Sequence, residues 1–115
     1  MPPKSSALVQ GTLEMLILKT LALQPLHGYG IGVRIAQISN GVFEVNPGSL
    51  LPALHRLDRA GLLESEWRET ENNRRAKYYS LSPAGRKKLK AETRQWEMQT
   101  QAIARILNAA PGELQ

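Results

Sequence analysis

The residues best suited to chemistry lie between Asn46 and Gly61, where the spacing predicts a two-faced helix. Leu50, Leu54 and Leu57 recur at i, i+4 and i+7, which places three leucines on one face for burial. A second, narrower face carries small residues first and cationic residues later: Ser49, Pro52, Ala53, Arg56 and Arg59. This face suits insertion into a nucleic-acid groove, where arginine can donate two hydrogen bonds to guanine, better than it suits catalysis.

The start of this helix can be placed in two ways. Asn46 is a good N-cap, but Pro52 would then lie inside the helix, where proline removes a backbone donor. If Gly48 or Ser49 is the cap instead, Pro52 lies in the first turn, and residues 46–49 form a tight entry. We favour the later start, because the free N–H groups of that entry could then approach a phosphate.

The composition and net charge of the chain indicate which class of partner the protein binds. The 115 residues support one small domain with a net charge of +5, and most of the excess positive charge lies within residues 74–94. Concentrated positive charge favours an anionic partner, nucleic acid first and an acidic membrane second. The chain has no cysteine and only two histidines, so we expect no disulfide, no zinc site and no cofactor.

The location predicted for the protein is the cytoplasm. The most apolar run, Leu13 to Leu23, contains Lys19 and is too short to span a bilayer, and residues 1–6 do not resemble a signal peptide. We therefore expect no membrane partner.

Hydrophobic periodicity and the positions of cap residues, glycine and proline predict seven elements in the order helix, helix, short strand, helix, strand, strand, helix. The first helix begins after Thr12 as N-cap and stops at Gln24-Pro25, and the second buries Ile31, Ile35 and Ile38 before Asn40-Gly41. Val42 to Val45 is a short strand or an extended connector. The third helix is followed by strands over 63–70 and 76–81, and Ser82-Pro83 opens a fourth helix that continues to about Leu107.

This order predicts a winged helix-turn-helix, a mainly α fold with a small β-hairpin wing (α+β) and a long C-terminal dimerisation helix. The predicted organisation is a flexible arm over 1–9, a DNA-binding domain over 10–82, the dimerisation helix over 83–108 and a tail over 109–115. No internal repeat or low-complexity segment is present.

The tip of the predicted hairpin is basic. Asn73, Arg74, Arg75 and Lys77 could be solubility charges, but aromatic residues directly behind them favour a clamp on DNA phosphates. The run from Arg86 to Lys90 fits a solvated helix face and a backbone contact equally well.

The fourth helix carries a narrow apolar seam that needs a partner. Leu89, Trp96 and Ile103 recur every seven residues, with Ala102 and Ile106 beside them. We expect Leu89, Trp96, Ile103 and Ile106 to form a dimer interface with Trp96 as its central aromatic residue.

Four motifs in this order resemble the PadR family of bacterial transcriptional regulators, over nearly the whole chain. They are Gly11-Thr12-Leu13, His27-Gly28-Tyr29, the run from Gly48 to Leu57, and the run from Lys77 to Gly85. The stretch from Glu71 to Tyr79 resembles the wing of the acidobacterial-type branch, and the single C-terminal helix resembles its short-form members.

The resemblance implies a dimeric repressor that binds a palindromic operator in double-stranded DNA. The third helix would enter the major groove, the wing would follow the neighbouring backbone, and the fourth helix would build the dimer. Contacts are expected from Tyr29, Asn46, Ser49, Pro52, Ala53, Arg56, Asn73, Arg74, Arg75 and Lys77. The family usually has tyrosine where this chain has Leu51, so that hydroxyl contact is not carried over, and Leu51 either packs into the core or touches a thymine methyl group.

Some relatives resemble a clamp in which aromatic side chains line a pore between subunits. By that resemblance Trp96 would also contact a planar, apolar aromatic effector that releases the repressor from DNA. The alternative function is a winged-helix protein-interaction or RNA-binding module without operator specificity. An enzyme is the least favoured class, because no spacing of ionisable residues nominates a catalytic group.

Overall fold

The computed structural model of the chain describes residues 11–112. It contains four α-helices and three β-strands: α1 (Thr12–Leu23), β1 (Leu26–His27), α2 (Gly28–Ile38), α3 (Pro47–Arg59), β2 (Leu63–Glu69), β3 (Arg75–Leu81) and α4 (Pro83–Leu107). The predicted α+β fold with a hairpin wing is confirmed. The arm predicted over 1–9 lies outside the described residues.

Helix α1 packs against several elements at once. Its buried residues Ile17, Leu18 and Leu21 face α2, α3 and β3, while α4 crosses its other side. The helix ends before Pro25 as predicted, but Thr12 as N-cap is wrong. Gly11 precedes the helix with φ 89, a left-handed conformation that glycine adopts without strain, so Thr12 is already helical.

The three strands form one antiparallel sheet in the order β1-β3-β2. Leu26 and His27 pair with Tyr79 and Tyr78 along the free edge of β3. The short strand predicted as one option for 42–45 is absent from this sheet, and residues 43–46 form the extended connector. A strand of two residues is too short to show an alternating pattern in the sequence. It forms only where the edge of another strand offers hydrogen-bond partners.

Helix α2 is capped by His27, whose Nδ1 accepts a hydrogen bond from the Gly30 N–H at 3.0 Å. Ile31 and Ile35 are buried as predicted, but Ile38 is 54% exposed, so its prediction as a core residue is wrong. The helix ends at Ile38, and this side chain is not part of the described core. Asn40 and Gly41 then take left-handed φ values of 55 and 80, as predicted.

The start of α4 is fixed tightly to the turn after α3. The Ser82 hydroxyl donates to the Gly61 carbonyl at 2.7 Å and accepts from the Gly85 N–H at 3.0 Å. A Cβ on Gly85 would lie 2.1 Å from the Leu62 carbonyl oxygen, so only glycine fits here. This contact sets the direction in which α4 leaves the domain.

Beyond this anchor, α4 projects from the domain. Gly85 is the only buried residue of its 25 in the described helix. The radius of gyration is 17.0 Å, whereas a compact chain of this length has about 13 Å. Within residues 11–112, none of the helices is long and apolar enough to cross a membrane.

Candidate nucleic-acid interface

Helix α3 is capped by Asn46, so the later start at Gly48 or Ser49 is wrong. The Asn46 Oδ1 accepts a hydrogen bond from the Ser49 N–H at 2.9 Å, and Pro47 occupies the first helical position, where its missing donor costs nothing. The Ser49 N–H is therefore engaged within the cap. Pro52 lies inside the helix and offers no donor to the carbonyl of Gly48, an exposed residue that water can reach.

The buried face of α3 contains one residue that the sequence assigned to DNA. Leu50, Leu54 and Leu57 are buried as predicted, but Ala53 is 0% exposed and belongs to the same core. The prediction of Ala53 as a base contact is therefore wrong. At 100° per residue, Ala53 lies about 40° from Leu57, directly beside the stripe formed by Leu50, Leu54 and Leu57.

The exposed face of α3 is defined by the residues opposite that stripe. We call it the reading face, and it consists of Gly48, Leu51, Pro52, His55 and Arg59. Within the described part of the chain, the side chains of His55 and Arg59 have no hydrogen bond or ion pair. His55 is absent from the DNA contacts predicted from the sequence, although a face opposite Leu50 and Leu54 must include positions 52, 55 and 59.

Leu51 lies on the surface between two helices. Its side chain is 46% exposed, which excludes the alternative that it packs into the core. A Cβ on Gly28 would lie 3.6 Å from the Leu51 Cδ2, so Leu51 stands beside the first turn of α2. An apolar contact with a thymine methyl group stays open for this side chain.

Arg56 lies on the flank of α3 that faces α1. Its Nε donates to the Glu14 Oε2 at 2.8 Å, and 54% of the Arg56 side chain is exposed. Asn46, Ser49 and Arg56 thus lie along α3 at the side away from the hairpin cleft described below.

The wing is the hairpin of residues 63–81. Its loop is closed by hydrogen bonds from the Thr70 N–H to the Arg74 carbonyl at 2.6 Å and from the Asn73 N–H to the Thr70 carbonyl at 3.1 Å. Asn73 adopts φ 57, a left-handed conformation that asparagine tolerates. Arg74 and Arg75 are exposed, and the Arg75 guanidinium lies 5.4 Å from the centre of the Trp67 ring.

A second set of contacts ties the wing to α3. The Lys77 Nζ lies 4.0 Å from the Asp58 Oδ2, and the neighbouring Tyr79 is buried on the same face of β3. Burial raises the pKa of Tyr79 above its usual 10.0, and the Asp58 carboxylate adds to the rise. The folded state therefore favours the neutral phenol of Tyr79. The stability that Tyr79 contributes is present below its pKa in the unfolded chain and is lost as pH rises through its pKa in the folded chain.

The wing, α3 and the start of α2 enclose a cleft of about 420 Å³. The cleft brings together Tyr29, Leu51 and three of the predicted wing contacts, Arg74, Arg75 and Lys77. Tyr29 is 80% exposed at its mouth. Cationic side chains and a helix N-terminus beside one concave surface are the features that bind a phosphate backbone.

A second groove, of about 680 Å³, separates α1 from α4. Apolar residues of both helices line it, among them Met15, Leu16, Leu89 and Trp96, and Lys19, Arg86, Lys90, Arg94 and Glu97 form its charged border. Leu89 is half-buried against the core of its own chain and so helps to anchor α4, and its contact in a dimer stays a prediction. Trp96, Ile103 and Ile106 remain exposed along the seam, by 39%, 53% and 73%.

Comparison with known proteins identifies relatives of regulatory type. The chain is 41% identical over 61 residues to Transcriptional regulator Rv3488 of Mycobacterium tuberculosis, and the match covers 53% of this chain and 56% of that protein. It is 42% identical over 79 residues to an uncharacterized 37.1 kDa protein in transposon TN4556 of Streptomyces fradiae, covering 69% of this chain and 21% of that protein. The chain thus spans about a fifth of one relative and little more than half of the other.

Solved structures share the fold over most of the chain. The crystal structure of smu.1704 from Streptococcus mutans UA159 has a TM-score of 0.75 and 30% identity, and the match covers 100% of this chain and 98% of that one. A PadR family transcriptional regulator from Eggerthella lenta DSM 2243 has a TM-score of 0.75 and 29% identity, with coverage of 88% and 86%.

The sequence model of the Transcriptional regulator PadR-like family matches residues 17–91. This match includes the capped helix α3, the whole wing and the anchored start of α4. The chain belongs to the PadR-like family of transcriptional regulators.

Proposed function

We propose that this chain is a sequence-specific DNA-binding regulator that acts as a dimeric repressor in the cytoplasm. The observation that carries the proposal is the cleft in which Leu51 of the reading face, Tyr29 at the start of α2 and the cationic side chains of the wing meet. The reading face would enter the major groove, and Tyr29, Arg74 and Arg75 would contact the adjacent phosphates.

Base contacts are assigned to the exposed part of α3. Pro52 lies on the reading face, Ser49 and Arg56 flank it towards α1, and His55 and Arg59 extend it towards the C-terminus of the helix. Asn46 holds the helix start, so its role is to orient the first turn of α3 as well as to approach the backbone. No catalytic role is assigned to any residue.

The alternative is a winged-helix module that binds RNA or an acidic protein surface. A gel shift with the promoter region upstream of the gene separates the two functions, with structured RNA and unrelated duplex as competitors. We expect the promoter duplex to resist both competitors. Equal displacement by RNA and unrelated duplex would support the alternative.

The proposed dimer forms through the exposed seam of α4. The side chains of Trp96, Ile103 and Ile106 are 39% to 73% exposed, and a second copy of α4 would bury them. Two such helices would place two reading faces at half-sites about 34 to 36 Å apart.

Ile103→Glu is expected to convert the dimer to a monomer, because a charge in the middle of an apolar interface must lose its water. Met98→Glu is the matched control, since it adds the same charge to an exposed residue two positions from Trp96, on another side of α4. Sedimentation at micromolar concentration measures the outcome. A dimer that survives Ile103→Glu, or that Met98→Glu disrupts equally, would contradict the proposed interface.

The groove between α1 and α4 is proposed as the site of a planar, apolar aromatic effector. Its volume of about 680 Å³ and the position of Trp96 in its wall support this role. An effector releases the repressor only if it binds better to the dimer geometry that cannot engage DNA. A panel of phenolic and polycyclic compounds that leaves tryptophan emission unchanged would count against the site.

A further inference from the structure

We propose that Glu14 is a positioning residue for sequence readout, which holds Arg56 from behind and leaves its outer edge to DNA. The inference rests on the proposed function and deepens it. Recognition then depends also on α1, a helix that the proposed function places outside the groove.

The contact joins residues that are 42 positions apart in the sequence. The Arg56 Nε donates to the Glu14 Oε2 at 2.8 Å, and Glu14 lies in the first turn of α1, which packs against α3. Arginine has five N–H donors in a planar fork. Because the pair engages Nε, the edge formed by Nη1 and Nη2 is the part left for a guanine.

Stability does not explain the pair. The two side chains are 54% and 34% exposed, and ion pairs of that exposure contribute little to folding. Orientation is a better explanation, since a long arginine side chain that is already held in one direction loses less freedom when it binds.

The Glu14 carboxylate also lowers the affinity for non-specific DNA. Glu14 places a negative charge beside the edge of the recognition helix, where it repels any phosphate backbone. A correct operator compensates for this repulsion through the Arg56 contact, whereas an unrelated duplex does not. The repulsion itself lowers the affinity for every duplex, so Glu14 raises the ratio of specific to non-specific affinity through its positioning of Arg56.

Glu14 could instead stabilise α1, because an acidic residue in the first turn favours the helix dipole. That role does not depend on Arg56. A double-mutant cycle separates the two roles, because it removes whatever Glu14 does independently of its partner.

The test measures affinity by fluorescence anisotropy at one fixed salt concentration for two probes. One probe is the duplex enriched by the 115-residue protein from a random library, and the other is a scrambled duplex of the same length. The variants are Glu14→Ala, Arg56→Ala and the double variant, with Glu64→Ala as control because Glu64 is an exposed carboxylate at the base of the wing. Thermal melting of each variant confirms that it folds.

Glu14→Ala is expected to lower the affinity ratio by about two- to fivefold, while the affinity for the scrambled duplex rises. Arg56→Ala is expected to lower the ratio by about 5- to 150-fold. In the Arg56→Ala background, Glu14→Ala should leave the ratio unchanged, and Glu64→Ala should leave it unchanged in either background.

An equal fall of the ratio in both backgrounds, or no fall in either, would overturn the role of Glu14 while leaving DNA binding intact. Equal affinity of the wild type for both duplexes would instead contradict the proposed function, and the inference with it. A readout without DNA is the nuclear magnetic resonance signal of the Arg56 Nε–H. It should move in Glu14→Ala and stay in Glu64→Ala, and an unmoved signal in Glu14→Ala would show that the pair does not form.

Discussion

DNA binding is expected to weaken by about 10³- to 10⁵-fold between 50 and 200 mM salt, if the dimer neutralises six to ten phosphates. Arg74 and Arg75 are exposed at the wing and line the cleft beside the reading face. Removing either arginine should weaken binding to all sequences alike and flatten the plot of log affinity against log salt. The change in slope should be about 1 per lost phosphate contact, hence about 2 per dimer.

Arg105→Ala is the matched control for Arg74→Ala and Arg75→Ala. Arg105 is an exposed arginine in the last turn of α4, far along the helix from the wing. It should leave the slope unchanged, although it lowers the net charge by the same amount. A salt response that is flat in the wild type would contradict DNA binding altogether, and slopes that fall equally in all three variants would contradict the wing as the phosphate clamp.

Gly85→Ala is expected to destabilise the domain by about 1 to 3 kcal/mol or more, the range for forcing extra atoms into a packed site. The new Cβ would lie 2.1 Å from the Leu62 carbonyl oxygen, a backbone atom that cannot swing aside. To relieve the clash, α4 must move away from the turn whose Gly61 carbonyl accepts the Ser82 hydroxyl. In the middle of an exposed helix the same substitution would stabilise by about 1 kcal/mol, so even the sign of the effect is informative.

Gly32→Ala gives the matched control for Gly85→Ala. Its Cβ would lie 3.6 Å from the Leu50 Cδ2, an ordinary contact, within the interior of α2. Denaturant unfolding of the two variants at one protomer concentration compares them, because dimerisation makes stability depend on concentration. Equal stability of the two variants would contradict the tight anchor of α4.

The sequence predicted the elements that depend on local rules. Ser82 before Pro83 predicted the start of α4, and the aromatic residues around the Asn73 turn predicted the wing. Leu50, Leu54 and Leu57 predicted the buried stripe of α3. In each case the signal lies within a few residues of the structure that it specifies.

The errors arose where a remote partner or the exact phase of a helix decides the outcome. Strand β1 exists because β3 offers a free edge some fifty residues later in the chain. Ala53 was assigned by its small size to the groove, although its angular position places it in the core. The pair of Glu14 with Arg56 leaves no sequence pattern, because it depends on how α1 packs across α3.

Selection of binding sites from a random duplex library with the purified 115-residue chain tests the central claim most directly. Recognition by two α3 reading faces predicts an inverted repeat whose half-site centres lie about one helical turn apart, or 10 to 10.5 base pairs. Repeating the selection with Arg56→Ala should erase the preference at one position of each half-site and retain the spacing. A library that shows no enrichment, or an enriched motif without two-fold symmetry, would contradict a dimer that reads DNA through α3.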